Sequence, residues 1–175
     1  DIIDQPDNSS YFLGHYLFEK TQGNRYELID GQQRLTTTVI FMSCLVKELR
    51  KRKIVRFDYN NMQYATEQIY ERYLQPRYGS QKFETVPEDS SFFNRLIIEC
   101  DSDYRIETGR RSERRIREAS SFFEEKMATQ TEEGTLFKWF HVIDNAIITT
   151  FLLSGESAKL TATQIFAFQN DRGLG

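Results

Sequence analysis

Leu28-Ile29-Asp30-Gly31-Gln32-Gln33-Arg34-Leu35-Thr36-Thr37 divides two patterns of hydrophobicity. Ahead of the turn, Tyr26 to Ile29 reads as a short buried strand. Behind it, apolar residues recur at helical spacing: Leu35, Val39, Met42, Leu45, Val46 and Leu49. Asp30-Gly31 is then a tight strand-to-helix turn, with Gly31 supplying a backbone angle that other residues resist. The first turn of such a helix leaves several N–H groups without partners, backed by the positive end of the helix dipole. An anion suits that place, phosphate in particular. Arg34 adds a planar fork that holds phosphate oxygens in pairs. Asp30 can hold a divalent cation or orient a water, and Gln32 and Gln33 offer neutral amides. The same residues also make ordinary architecture, a strand, a turn and a helix with Asp30 as its cap. Both readings stand on the residues alone.

Working outward, Tyr11 to Glu19 is strand-like, and Gln22-Gly23-Asn24 makes a hairpin connection into Tyr26–Ile29. The helix from Gln32 ends near Arg50 in a basic run, Lys47, Arg50, Lys51, Arg52 and Lys53, which complements its dipole. Phe57 to Tyr59 reads as a short strand, and Ile69, Tyr70, Tyr73 and Leu74 as a helix stopped by Pro76. Lys82–Val86 has the alternation of a strand, and Asp89-Ser90 opens a helix through Phe92, Phe93, Leu96 and Ile97. A polar loop follows from Cys100 to Gly109. Arg110, Arg111, Arg114, Arg115 and Arg117 then form the densest basic cluster, on a helix whose buried side is Ile116, Ala119, Phe123 and Met127. Such a cluster can meet nucleic acid or an acidic partner. Its blander reading is a solvated face balanced by Glu113, Glu118, Glu124 and Glu125. Leu136, Phe137, Phe140 and Ile143 make a further helix with Trp139 as packing anchor, and Ala146 to Leu153 a buried strand. Thr161-Ala162-Thr163-Gln164 fits a capping box for a helix to Gln169, ended by Gly173.

The 175 residues fit one domain, and 39% hydrophobic with 14% aromatic content builds a core rather than a disordered chain. A net charge of −3 argues against a surface given over to nonspecific DNA binding but permits a local basic face. No apolar run approaches the ~20 residues that span a bilayer, and no secretory signal opens the chain. Cytoplasm is the compartment expected. The abrupt ends read as those of a fragment from a longer protein. Cys44 and Cys100 are isolated, so neither zinc nor a disulfide framework is expected, and His15 and His141 read as structural.

Asp30-Gly31-Gln32-Gln33-Arg34-Leu35-Thr36-Thr37 resembles the DGQQR signature of the GmrSD-type restriction endonuclease N-terminal domain family. Asp1-Ile2-Ile3 with Tyr11-Phe12-Leu13-Gly14 resembles the family's lead-in. Ile165-Phe166 followed by Asn170-Asp171-Arg172-Gly173 resembles its second conserved element. Ala167 stands where the family commonly has Glu, and the family's upstream Gln-Arg-rich aromatic segment is not in this sequence.

The resemblance covers residues 1–175 as a single domain. It implies an α+β fold, with a small mixed ParB/sulfiredoxin-like sheet over about residues 1–60. A mainly helical remainder follows from about 61 to 175. The implied function is a nucleotide-binding and nucleotide-hydrolysing module of a prokaryotic modification-dependent restriction protein active in phage defence. In that role Asp30, Gln33 and Arg34 would be catalytic. Gly31, Gln32, Arg34, Thr36, Thr37, Asn170 and Arg172 would bind the nucleoside triphosphate, and Asp30 would help hold Mg²⁺. The implied partners are an HNH-type nuclease domain or subunit outside this chain and, through the full-length protein, DNA; no membrane is implied. The competing readings are a ParB-like module that binds DNA or protein without turnover, and a DNase centre built on the same signature.

Overall fold

The computed structural model describes residues 11–154 apart from 24, 76–77, 79–81, 102–103 and 105–108. The described residues divide into two compact units, 11–35 with 145–154, and 36–144.

The smaller unit is a mixed sheet. β1 (Phe12–Lys20) turns back through Gly23, at φ 72°, into β2 (Tyr26–Asp30). The two pair antiparallel from Lys20↔Tyr26 to Leu17↔Asp30. On the other edge of β1 lies β5 (Ile147–Leu153), parallel and in register from Gly14↔Ile148 to Glu19↔Leu153. The strand order is therefore β2-β1-β5. Central β1 carries the buried Tyr16 and Leu17. β2 and β5 were expected to be buried, yet Tyr26, Ile147, Ile148 and Leu152 are each about half exposed. Their aromatic and β-branched content drives strand formation, and pairing with β1 satisfies one edge of each; neither requires two covered faces. α1 (Gln32–Lys51) follows directly from β2.

The larger unit is mainly helical. Val39 to Val46 of α1 are all buried, so the middle of this helix is covered all round rather than along one stripe. Around it stand α2 (Thr66–Tyr73), α3 (Pro87–Phe93), α4 (Arg111–Ala128) and α5 (Glu133–Asp144). Met42, Leu45, Leu49, Phe93, Ile97, Met127, Leu136, Trp139 and Phe140 form the centre of the core. α3 runs into a π-helical turn, Asn94–Ile98, and the Ser43 hydroxyl donates to the Ile97 carbonyl there at 2.6 Å.

A hairpin completes this unit. β3 (Arg56–Tyr59) pairs with β4 (Met62–Ala65) across Asn60-Asn61, at φ 50° and 62°. Asn tolerates that left-handed region, and the pair gives a tight hairpin turn. β4 was not read from the sequence. Lys82–Val86, expected as a strand, forms none. Pro87 instead fixes the first turn of α3 two residues before the expected start. Phe83 packs on Phe93 with ring centres 5.4 Å apart and the rings tilted, so the alternation reflects one partly buried ring rather than a ladder.

The basic end of α1 is held internally. Lys47 meets Glu124 at 3.1 Å, and Arg50 is bidentate on Glu67. Arg52 donates to Glu48 and to the carbonyls of Met127 and Gln130, closing the end of α4. The fold is α+β, as expected. The helix expected over 162–169 lies outside the described residues. No helix among the described residues is long and apolar enough to cross a membrane.

Candidate functional site

Gly31 sits between β2 and α1 at φ +93°, a conformation L side chains rarely adopt. A Cβ there would stand 2.6 Å from Tyr16 Cδ1 and 3.3 Å from the His15 carbonyl oxygen. Both the backbone angle and the space therefore require glycine, as the sequence led one to expect. Helical bonding begins at once, with Leu35 N–H donating to the Gly31 carbonyl at 2.9 Å. The first turn contains no acidic residue. Gln32 turns its amide back on β2, donating to the Leu28 carbonyl at 2.7 Å, so in this structure it braces the turn.

Arg34 lies back across β1. Its Nη2 donates to the His15 carbonyl at 2.7 Å and stands 3.7 Å from Asp30 Oδ2. Its guanidinium carbon is 5.3 Å from the centre of the Tyr16 ring. Gly14 makes this seat. It has φ +112° at an irregularity in the β1–β5 pairing, and a Cβ on it would come within 1.9 Å of Arg34 Nη1. The arginine side chain keeps 42% of its surface exposed and Asp30 keeps 34%. The turn thus presents a guanidinium and a carboxylate side by side, both accessible.

Tyr16 lies beneath them. Its hydroxyl is buried and has no hydrogen-bond partner among the described residues. Burial pushes its phenol above the ordinary tyrosine range, partly offset by Arg34, with Tyr11 adding to the rise. An orphaned buried hydroxyl is destabilising. Tyr16→Phe is therefore expected to raise the thermal midpoint, by an amount equivalent to about 1 kcal/mol. A lowered midpoint in a melting experiment would show that the hydroxyl has a partner the geometry does not reveal.

Asp30, Gly31, Gln32, Gln33 and Arg34 are thus gathered in one turn, with Gln33 exposed. Thr36 and Thr37 follow along α1, the first half-buried and the second exposed. Asn170 and Arg172 lie outside the described residues, as does the proposed meeting of the two motifs. Gly14, Tyr16 and the His15 carbonyl were not singled out as partners of the turn. A glycine inside a strand is the available signal for Gly14, since it marks a bulge or a close approach.

Burial pushes the Cys44 thiol up to about 12 and also raises that of Cys100, which disfavours the thiolate at both. Among the described residues no three of His, Cys, Asp and Glu gather as a metal cluster. His141 is structural, held between Asn60 and Tyr64, each at 3.2 Å.

No curated protein and no solved structure matches the chain significantly. The family model for the N-terminal domain of GmrSD restriction endonucleases matches residues 1–175. With the glycine-dependent turn and its arginine in place, the chain belongs to the GmrSD restriction endonuclease N-terminal domain family.

Proposed function

We propose that this domain binds a nucleoside triphosphate at the Asp30–Arg34 turn and hydrolyses it to regulate a restriction system. The observation that carries the reading is the glycine-dependent start of α1, with no acid in its first turn and the accessible Arg34 guanidinium beside it. Backbone N–H groups at such a start favour phosphate oxygens. Arg34 would stabilise charge developing on the transferred phosphoryl group, releasing Asp30 as it turns toward the ligand. Gln33 would orient the attacking water, and Thr36 and Thr37 would extend the phosphate contacts. Asn170 and Arg172 would approach from the second motif.

Mg²⁺ fits this donor set in one way only. Asp30 is the carboxylate at the turn, and Mg²⁺ is commonly held by one or two carboxylates together with substrate phosphates. When bound, the ion would neutralise phosphate charge. A nuclease domain elsewhere in the restriction system would do the cutting, and the cytoplasm is the compartment proposed.

Arg34→Ala is expected to weaken nucleotide binding by on the order of 1.5–3 kcal/mol, the range for a charge-assisted hydrogen bond. Titration calorimetry with nucleotide and magnesium measures this, with circular dichroism to show that the variant is folded. Normal binding and turnover by a folded Arg34→Ala protein would remove the site from this turn. Stabilisation of the wild type by DNA alone, and by no nucleotide, would favour a binding module without turnover.

A further inference from the structure

We propose that the exposed arginine face at the start of α4, formed by Arg111, Arg114 and Arg115, docks on the phosphate backbone of duplex DNA. This surface is independent of the nucleotide reading. Of the four acids expected to balance the cluster, Glu124 and Glu113 are engaged by other cations, while Glu118 and Glu125 are exposed and form no ion pair with these arginines among the described residues. Glu124 is taken by Lys47 at 3.1 Å and accepts from Ser120 at 3.2 Å. Glu113 has Arg110 at 3.8 Å. Among the described residues, the side chains of Arg111, Arg114 and Arg115 form no ion pair and no hydrogen bond, and all three residues are exposed.

Several other arginines in the same unit are engaged. Arg95 meets Asp101 at 3.0 Å and lies over the Tyr104 ring. Arg117 donates to the Tyr104 carbonyl and lies over Phe92. Arg50 and Arg52 are bonded as described above. Arg56 on β3 is also exposed and its side chain forms no ion pair or hydrogen bond among the described residues, but it stands alone, whereas Arg111, Arg114 and Arg115 share one helix start. They occupy the first turns of α4, where the helix dipole disfavours cations, and at spacings of three and four residues they repel one another. In a chain of net charge −3, this is positive charge concentrated against both the global balance and the local helix field.

The chemistry that relieves it is a row of anions. At about 1.5 Å of rise per residue, Arg111 to Arg115 spans roughly 6 Å along α4. One DNA strand offers a phosphate every ~3.4 Å of duplex axis, so the face covers about two phosphates. Guanidinium forks suit phosphate oxygens. The stretch Arg110-Arg111-Ser112-Glu113-Arg114-Arg115 holds no apolar side chain of the kind that anchors protein interfaces, which favours DNA over an acidic protein. Contacts of this kind position a duplex without reading its sequence.

The test uses the full chain, a short fluorescent duplex and a series of salt concentrations. The triple variant R111A/R114A/R115A is expected to lose about tenfold or more in affinity. Its dependence of log K on log salt should flatten by roughly 2, at about 0.9 per lost phosphate contact. Its melting midpoint should be equal or higher, since repulsion is removed. Replacing all three by lysine keeps the charge and should leave the salt slope near that of the wild type. A wild type that binds no duplex overturns the proposal. So does a triple variant with unchanged affinity and slope, and so does capture of polyglutamate with no measurable capture of DNA.

Discussion

Gly31→Val is expected to destabilise the protein by on the order of 2–5 kcal/mol. A β-branched residue forced to φ +93° costs about 1–3 kcal/mol for the backbone alone. Its Cβ would also overlap the Tyr16 ring at 2.6 Å and press on the His15 carbonyl at 3.3 Å, and overpacking of that kind costs about 1–3 kcal/mol more. Neither neighbour yields easily. Tyr16 is a buried ring in the central strand, and the His15 carbonyl is backbone already engaged by Arg34. The loss is therefore of the Arg34 seat as well as of stability. Denaturant unfolding of the purified variant gives the number; a change below about 0.5 kcal/mol, the range of an ordinary surface substitution, would mean the turn is not constrained as described.

Arg52→Ala is expected to cost on the order of 3–5 kcal/mol, the range for breaking a buried ion pair by removing one partner. Glu48 is 8% exposed, and Arg52 lies against it at 2.7 Å with 17% of its own side chain exposed. Lys51, at 3.8 Å, is the other cation near that carboxylate and is itself largely exposed. Losing Arg52 strands a buried charge and takes the guanidinium donor from the Gln130 carbonyl and from the Met127 carbonyl, which keeps the Gln130 N–H. Adding Glu48→Gln to Arg52→Ala should recover part of the loss, because the stranded charge disappears. Unfolding curves for both single variants and the double decide it, and additivity of the two changes would refute the coupling.

Much of the fold was legible because periodicity is a physical requirement. Val39, Met42, Leu45, Val46 and Leu49 had to share a face, and all five are buried. What a stripe could not convey was that Ile40, Phe41 and Cys44 are buried too. The run from Val39 to Val46, apolar but for Ser43, carries that message, since a helix apolar on nearly all sides belongs inside a bundle. Asn60-Asn61 is an available hairpin signal for β4, and Met62–Ala65, at four residues, is too short for its pattern to decide the reading. Lys82–Val86 misled in the opposite way, because alternation marks a strand only when another strand is there to pair with it. At the turn, the need for glycine at position 31 could be read from Asp-Gly between two patterns. The seat that Gly14 makes for Arg34 could not, since it depends on strand register and on a backbone angle far away in sequence. The fate of the acidic residues near Arg114 was equally hidden. Composition balances charges by number, whereas Glu124 is claimed by a lysine on another helix.

The parallel pairing of β5 with β1 has a consequence for the order of assembly. Nearly the whole helical unit lies between these two strands in sequence. On the ribosome β1, β2 and the signature turn emerge early, yet the strand that borders β1 on its other edge is made only after α5. Contacts of such long sequence separation form slowly and late. The helical unit thus has the opportunity to fold while the edge of β1 is still open, and an unpaired edge is a site for aggregation. Synthesis stalled just before Ile147 would therefore leave a chain whose helical core is complete and whose signature turn is held by a two-stranded ribbon alone, a form marginal in isolation.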